Sequence, residues 1–355
     1  MMKRVLVTSS EYAAGNREAV QSVIDSYDYE VIFHNGRGPM KEQEIIEEIN
    51  EKECEGLLVY LSKDEVTEKV IDSCPGLKVI SRHGVGMDNI AAAYAREKGI
   101  QVVNTGNSKD YEAVADLCIA YILDLARNIR SFDRDLKQGI WDRSVLQHNV
   151  TGSTLGIIGF GRIGQAVARR ALGFGMRVLV CHTKKGPDGN NQAKDEEQSF
   201  AGGSVRIVSK EELLQESDYV TLQCVVTPET TGLIGEEELA MMKPEACLIN
   251  TGRAALVNQQ ALLKALKERT IRAAAVDVFT VEPTTQDPLM TSGLNNLIVT
   301  PHIGIFTEET LREIDMLAMD NMLSALQKLD NSDRDIPDKR YRITGPAGKD
   351  TPVFF

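Results

Sequence analysis

At 355 residues, 42% hydrophobic and 26% charged, the chain has the length of two soluble globular domains and an ordinary composition for them. A formal net charge of −12 with no long basic run argues against nucleic acid or an anionic membrane surface as a partner, and no apolar stretch is long enough to span a membrane. The six cysteines are scattered with no CxxC and no His/Cys cluster, which predicts reduced core residues of a cytoplasmic protein and no metal site.

The opening Lys3-Arg4-Val5-Leu6-Val7 is basic, then apolar. Its apolar run stops at Thr8 and Glu11 comes soon after, so it reads as a first strand rather than a signal peptide. Further strands are expected at 30–34, 56–61, 77–82 and 101–104. Amphipathic segments separate them; in 41–52, Ile45, Ile46 and Ile49 share one face. Alternating βα units imply a parallel sheet covered by helices on both faces. Residues 112–128 form a longer apolar helix that reads as the crossing into a second domain. Residues 131–150 are polar around Trp141, which is expected in the core or at a subunit contact.

Residues 154–182 organise the rest of the chain. An apolar strand, Leu155-Gly156-Ile157-Ile158, runs into Gly159-Phe160-Gly161-Arg162-Ile163-Gly164. A helix with Ala166, Val167, Arg170, Ala171 and Phe174 at helical spacing comes next, then a second strand at 177–181. A GxGxxG alone is a weak signal, and a glycine-rich turn in an unrelated α/β protein is the bland alternative. The strand–loop–helix–strand context is what a dinucleotide site requires. Gly159 suits the tight turn, Gly161 lets the backbone approach a pyrophosphate, and Gly164 lets helix and strand pack closely. The helix-start N–H groups then face phosphate oxygens.

Residues 184–204, polar and glycine-rich with the charge run Asp195-Glu196-Glu197, read as a solvated surface loop. Strands resume at 220–224, 246–250, 272–276 and 296–300, with a helix at 258–268 among them. A helix at 308–329, carrying Leu311, Ile314, Ala318, Met322, Ala325 and Leu329, is long enough to return to the first domain. The tail 331–355 receives no role.

Ligands of open α/β sheets bind beyond the carboxyl ends of the strands. Arg253, Asp277, Glu282 and His302 each come after a late strand, so they can share the edge of the glycine loop. Each alone reads as a surface or capping residue; together they suit hydride transfer at a carbon bearing oxygen. A His moves the hydroxyl proton, a carboxylate orients it and favours its charged form, and an Arg clamps a substrate carboxylate and polarises the carbonyl.

Over residues 1–330 the sequence resembles the D-isomer-specific 2-hydroxyacid dehydrogenase family. The carriers are Ser81-Arg82-His83-Gly84-Val85-Gly86-Met87-Asp88-Asn89, the Gly159–Gly164 loop, Thr227-Pro228-Glu229-Thr230-Thr231-Gly232-Leu233-Ile234, Asn250-Thr251-Gly252-Arg253, Val276-Asp277-Val278-Phe279 with Glu282-Pro283, and Thr300-Pro301-His302. The resemblance implies a flavodoxin-like substrate domain (1–108 plus 305–330), a Rossmann dinucleotide-binding domain (109–304), and a homodimer. It implies catalytic Arg253, Glu282 and His302, Asp277 on the nicotinamide carboxamide, and Thr227 among the cofactor contacts. Backbone amides around Gly84, Val85 and Gly86 would hold the substrate carboxylate. His83 is open to either substrate contact or packing, and His34 and His148 read as structural.

The chain departs from the family at two places. Tyr60 stands where phosphoglycerate dehydrogenases usually carry an Arg for the substrate phosphate, with Lys63 a possible substitute. His182 stands where NAD users usually carry Asp, and Thr183, Lys184 and Lys185 come next. A hydroxyl, two cations and a His suit a 2′-phosphate, so NADP is expected over NAD; a solvated turn that tolerates NAD is the alternative. The expected activity is reduction of a small anionic 2-oxo acid of the glyoxylate or hydroxypyruvate type. 3-Phosphoglycerate dehydrogenase is the alternative within the class, and a dinucleotide-sensing corepressor the alternative outside it.

Overall fold

The computed structural model describes residues 2–36, 38–60, 63–182 and 196–331. These fall into two compact units, the described residues of 2–106 with 315–331, and those of 107–314. Residues 305–314, expected with the first domain, group with the second unit, where Glu313 Oε2 accepts the Lys109 N–H at 3.2 Å.

The first unit runs β1 (Lys3–Val7), α1 (Arg17–Ile24), β2 (Tyr29–Phe33), α2 (Glu42–Glu51), β3 (Cys54–Val59), α3 (Glu68–Ser73), β4 (Val79–Arg82), α4 (Ala92–Glu97) and β5 (Gln101–Asn104). Its strands pair in parallel in the order β2-β1-β3-β4-β5, the flavodoxin-like arrangement. Short apolar runs such as Val5-Leu6-Val7 and Leu57-Leu58-Val59 form strands because both faces of a parallel sheet are covered. On one face lie Ile45 and Ile49 of α2 with Val70 and Ile71 of α3.

The second unit opens with α5 (Asp110–Arg127) and α6 (Ile129–Lys137), then β6 (Thr154–Ile158), α7 (Arg162–Gly173), β7 (Arg177–Cys181), β8 (Glu196–Phe200), β9 (Gly203–Ile207), α8 (Lys210–Glu216) and β10 (Tyr219–Leu222). It continues through α9 (Glu236–Met241), β11 (Cys247–Asn250), α10 (Gln259–Glu268), β12 (Ala273–Val276), α11 (Pro288–Thr291) and β13 (Leu297–Val299). α12 (Glu308–Asp330) begins here and ends in the first unit. There its Ala318, Met319, Met322, Leu323 and Leu326 pack on Val5, Val7, Leu58 and Val79, each large side chain contributing about 1.5–3 kcal/mol. The sheet order is β13-β12-β11-β10-β6-β7-β9-β8. Strand order reverses between β6 and β10, the place where this architecture binds nucleotides.

Three expectations need correction. Part of the segment expected as surface loop is a hairpin, in which β8 pairs antiparallel with β9 while β9 pairs parallel with β7. The sequence hides it because Glu196, Glu197, Gln198 and Ser199 are exposed on both faces of the strand and carry no apolar alternation. Trp141, expected in the core or at a subunit contact, is not in the core: it is 78% exposed in the single chain. Residues 129–137 form a helix with no buried residue, so no apolar period announced it. Thr183, Lys184 and Lys185 lie outside the described residues. All six cysteines are free thiols, Cys181 half-buried and the rest buried. No described helix is long and apolar enough to cross a membrane.

Candidate active site

The glycine loop joins β6 to α7. Gly159 has φ +99°, a left-handed value that an L side chain rarely adopts, and a Cβ there would meet the Gln223 carbonyl oxygen at 2.6 Å. A Cβ on Gly164 would lie 2.2 Å from the Gly159 carbonyl oxygen, so helix and loop touch through bare backbone. In front of Gly161, by contrast, nothing lies within 4 Å. The loop is thus closed on its inner side and open where α7 presents its first N–H groups, which fits a pyrophosphate. Arg162 turns aside: its Nη1 donates to the Ser108 carbonyl at 3.1 Å and its guanidinium lies over the Tyr111 ring. Ile163 is half-buried against the α5–α7 core. His182, just beyond β7, is exposed and meets the Phe160 ring edge-on.

Three adjacent strands of the same sheet deliver the reactive groups at their carboxyl ends. β11 leads to Arg253, whose Nη1 donates to the Gly252 carbonyl at 2.9 Å; its own carbonyl accepts from Asn250 Nδ2 at 2.9 Å, fixing the turn. β12 leads to Asp277 and Glu282, and β13 to His302. The Asp277 N–H donates to Asn250 O at 3.0 Å and Thr300 N–H to Val276 O at 3.1 Å, so neighbouring strand ends are tied to one another.

His302 Nδ1 lies 2.6 Å from Glu282 Oε2, while Glu282 Oε1 accepts the Phe279 N–H at 2.7 Å. The carboxylate is therefore held from its own segment and fixes the imidazole, leaving Nε2 for a substrate oxygen. His302 has φ +55°, the left-handed region, which costs about 1–2 kcal/mol for a residue with a Cβ. Its loop is secured by Asp277, which accepts the Ile303 and Gly304 N–H groups at 2.9 Å each and the Thr300 hydroxyl. Burial pushes the Asp277 carboxyl up, opposed by these donors and by His302. Thr227 caps its own turn, its N–H donating to Thr230 Oγ1 at 2.7 Å.

In the first unit, the Gly84–Gly86 loop has its carbonyls tied back. Gly84 O accepts the Thr105 N–H at 3.2 Å, Val85 O accepts Asn104 Nδ2 at 3.1 Å, and Gly86 O accepts Arg82 Nε at 3.2 Å. In a trans peptide the N–H points opposite to the preceding carbonyl, so the Val85 and Gly86 N–H groups face away from these ties. Arg82 does more: its Nη1 donates to Val59 O at 3.1 Å, Tyr60 O at 2.8 Å and the His83 carbonyl. Sequence reasoning passed over Arg82, although a cation ending a strand of a buried sheet must find partners. His83 is packed. It is buried edge-on to Tyr12 and half-buried Tyr60, with Nε2 2.8 Å from Asp315 Oδ1. Burial lowers its pKa against the pull of Asp315. His34, read as structural, pairs with Glu48 of α2.

Residues 119–304 match the family model described as D-isomer specific 2-hydroxyacid dehydrogenase, NAD binding domain. A glyoxylate reductase of Thermococcus litoralis is 38% identical over 79% of this chain and 82% of its own length. The chain belongs to the D-isomer specific 2-hydroxyacid dehydrogenase family. A D-3-phosphoglycerate dehydrogenase of Methanocaldococcus jannaschii is also 38% identical, over 81% of this chain but only 52% of its own length. The crystal structure of a glyoxylate reductase from Paecilomyes thermophila superposes with a TM-score of 0.75 at 27% identity, covering 92% of this chain and 96% of that one. The matched region carries the nucleotide loop, Arg253, Glu282 and His302, so this D-2-hydroxyacid dehydrogenase chain binds a nicotinamide cofactor through its second unit.

Proposed function

We propose that the chain is a glyoxylate/hydroxypyruvate-type reductase, converting a small 2-oxo acid to its D-2-hydroxy acid. The observation that carries this is the His302–Glu282 pair at 2.6 Å on the strand ends that also present Arg253, in the sheet that holds the glycine loop. The reduced cofactor, when bound, supplies the hydride. Arg253 fixes the substrate's carboxylate and draws charge toward the carbonyl oxygen. His302 gives its Nε2 proton to that oxygen, and Glu282 stabilises the charged ring beforehand. Within the first unit, the tied-back peptides at Val85 and Gly86 leave N–H groups of the kind that suit a carboxylate. Two features weigh against 3-phosphoglycerate. Tyr60 is committed to a ring cluster rather than replaced by a cation, and Arg82 is spent on backbone carbonyls. Names borne by relatives support the smaller acids. Absorbance of the reduced nicotinamide with a panel of 2-oxo acids tests the reading. Activity on glyoxylate or hydroxypyruvate above that on 3-phosphohydroxypyruvate is expected. Silence across the panel with intact cofactor binding would favour a dinucleotide sensor.

NADP is the proposed cofactor, because β7 ends in Cys181-His182 with no acidic residue to repel a 2′-phosphate and Lys184 and Lys185 come soon after in sequence. Charge-assisted bonds of about 1.5–3 kcal/mol each correspond to roughly 10–100-fold in affinity. His182→Asp should shift preference toward NAD, and Lys184→Ala with Lys185→Ala should weaken NADP far more than NAD. A wild-type kcat/KM higher for NADH than NADPH would reject this. A homodimer is proposed through residues 129–146, where Ile129, Leu136, Ile140, Trp141, Val145 and Leu146 are exposed together. A monomeric mass by light scattering at micromolar concentration would reject it.

A further inference from the structure

Asp277 is the residue expected to contact the nicotinamide carboxamide, and the structure gives its carboxylate a second task. It is buried, with 1% of its surface exposed. Oδ1 accepts both the Thr300 hydroxyl and the Ile303 N–H, and Oδ2 accepts the Gly304 N–H. These partners bracket His302 on the chain. The Thr300 carbonyl in turn accepts the His302 N–H at 3.0 Å. An ionised carboxylate only accepts, so the Thr300 hydroxyl proton points at Asp277 and its oxygen is left to accept a further donor. The phenol of Tyr121, on α5, fills that place. Burial pushes the Tyr121 phenol well above its ordinary range, so it stays protonated and can donate. A continuous chain thus runs from the α5 core through Tyr121, Thr300 and Asp277 to the turn that holds His302 at φ +55°.

We propose that Tyr121, Thr300 and Asp277 form a positioning relay for His302: they hold its turn in the left-handed conformation that aims the ring, a task for Asp277 beyond any contact with the cofactor, since its three donors fill three of a carboxylate's roughly four acceptor sites. This rests on the reductase reading above. A residue with a Cβ leaves the left-handed region unless its surroundings over-determine it, and the relay supplies that constraint from both sides of His302. None of the three residues exchanges a proton with substrate. Loosening the relay at Tyr121 or Thr300 should therefore lower kcat while leaving cofactor affinity alone, because the glycine loop belongs to β6 and α7 and not to this turn.

The test compares Tyr121→Phe, Thr300→Val, Thr300→Ser and Asp277→Asn. Three readouts are taken: steady-state kcat and KM with glyoxylate, NADPH and NADH affinity by nicotinamide fluorescence, and the His302 ring signal by NMR. Tyr121→Phe and Thr300→Val should each lower kcat about tenfold with cofactor Kd within about twofold of wild type. Thr300→Ser, which keeps the hydroxyl, should restore kcat. The His302 ring signal should move in Tyr121→Phe and Thr300→Val and stay in Thr300→Ser. Unchanged kcat and unchanged ring signal in Tyr121→Phe would overturn the relay. An Asp277→Asn variant that loses cofactor affinity with its His302 ring signal unmoved would overturn the positioning role and leave Asp277 to the carboxamide alone. If Thr300→Val fails to fold, Tyr121→Phe against Thr300→Ser decides alone. If the wild type reduces no 2-oxo acid, the reductase reading fails, while the NMR comparison still decides the relay.

Discussion

Replacing Glu282 by Gln asks the His302 pair to work with one acceptor where two are needed. In the native arrangement Glu282 Oε1 accepts the Phe279 N–H at 2.7 Å while Oε2 faces His302 Nδ1 at 2.6 Å. An amide has a single oxygen. If that oxygen stays with Phe279, the NH2 group confronts Nδ1 and favours the neutral ring; if it turns to His302, the Phe279 N–H faces a donor. Either way the charge that favours imidazolium is gone. A charge-assisted bond is worth about 1.5–3 kcal/mol. His302 is 40% exposed at the side chain, so solvent screening places the loss at the lower end. At 1.36 kcal/mol per factor of ten this amounts to about a tenfold loss of kcat/KM in reduction, where the ring must give up a proton. The assay is kcat/KM for glyoxylate with the reduced cofactor, beside the Kd of that cofactor. Wild-type kcat/KM in the variant, or a loss matched by an equal loss of cofactor affinity, would remove Glu282 from its role.

Arg253→Lys should lower kcat/KM by about 10–100-fold, because a point charge cannot engage a carboxylate with a planar fork; near-normal kcat/KM would make Arg253 structural. Arg82→Lys should raise KM for the 2-oxo acid with little change in kcat or cofactor affinity, since one ammonium cannot hold the carbonyls of Val59, Tyr60, His83 and Gly86 together. An unchanged KM would show that the Gly84–Gly86 loop keeps its shape without that guanidinium. His83 bears on stability. Its folded-state pKa is lowered by burial, so the stability it contributes is present above the ordinary His value of 6.5 and is lost as pH falls below it. Between pH 7.5 and 5.5 the wild-type thermal midpoint should therefore fall more than that of His83→Gln; equal falls in the two proteins would contradict this.

The alternation of short apolar strands with amphipathic helices determined two parallel sheets, because a strand covered on both faces must be apolar throughout and a covering helix on one side only. Gly159 and Gly164 were legible for the same kind of reason: at each, backbone lies where a Cβ would be. Placing Arg253, Glu282 and His302 at strand ends was equally local, since the strand preceding each is visible in sequence. Wherever a residue's character comes from distant partners, the sequence was mute. Tyr121 reads as one more apolar position of α5 and Thr300 as the last residue of a strand. Only packing lays the phenol on the hydroxyl, 179 positions away. Arg82 reads only as the last residue of a strand until the fold surrounds it with carbonyls. His83 reads as a loop residue until α12, more than 200 positions later, brings Asp315 to its Nε2. The edge hairpin escaped because its outermost strand leaves both faces in water over residues 196–199, where no apolar pattern is required. Sequence periodicity records which surfaces leave water, whereas the partner of a buried polar group is fixed only when the chain closes on itself.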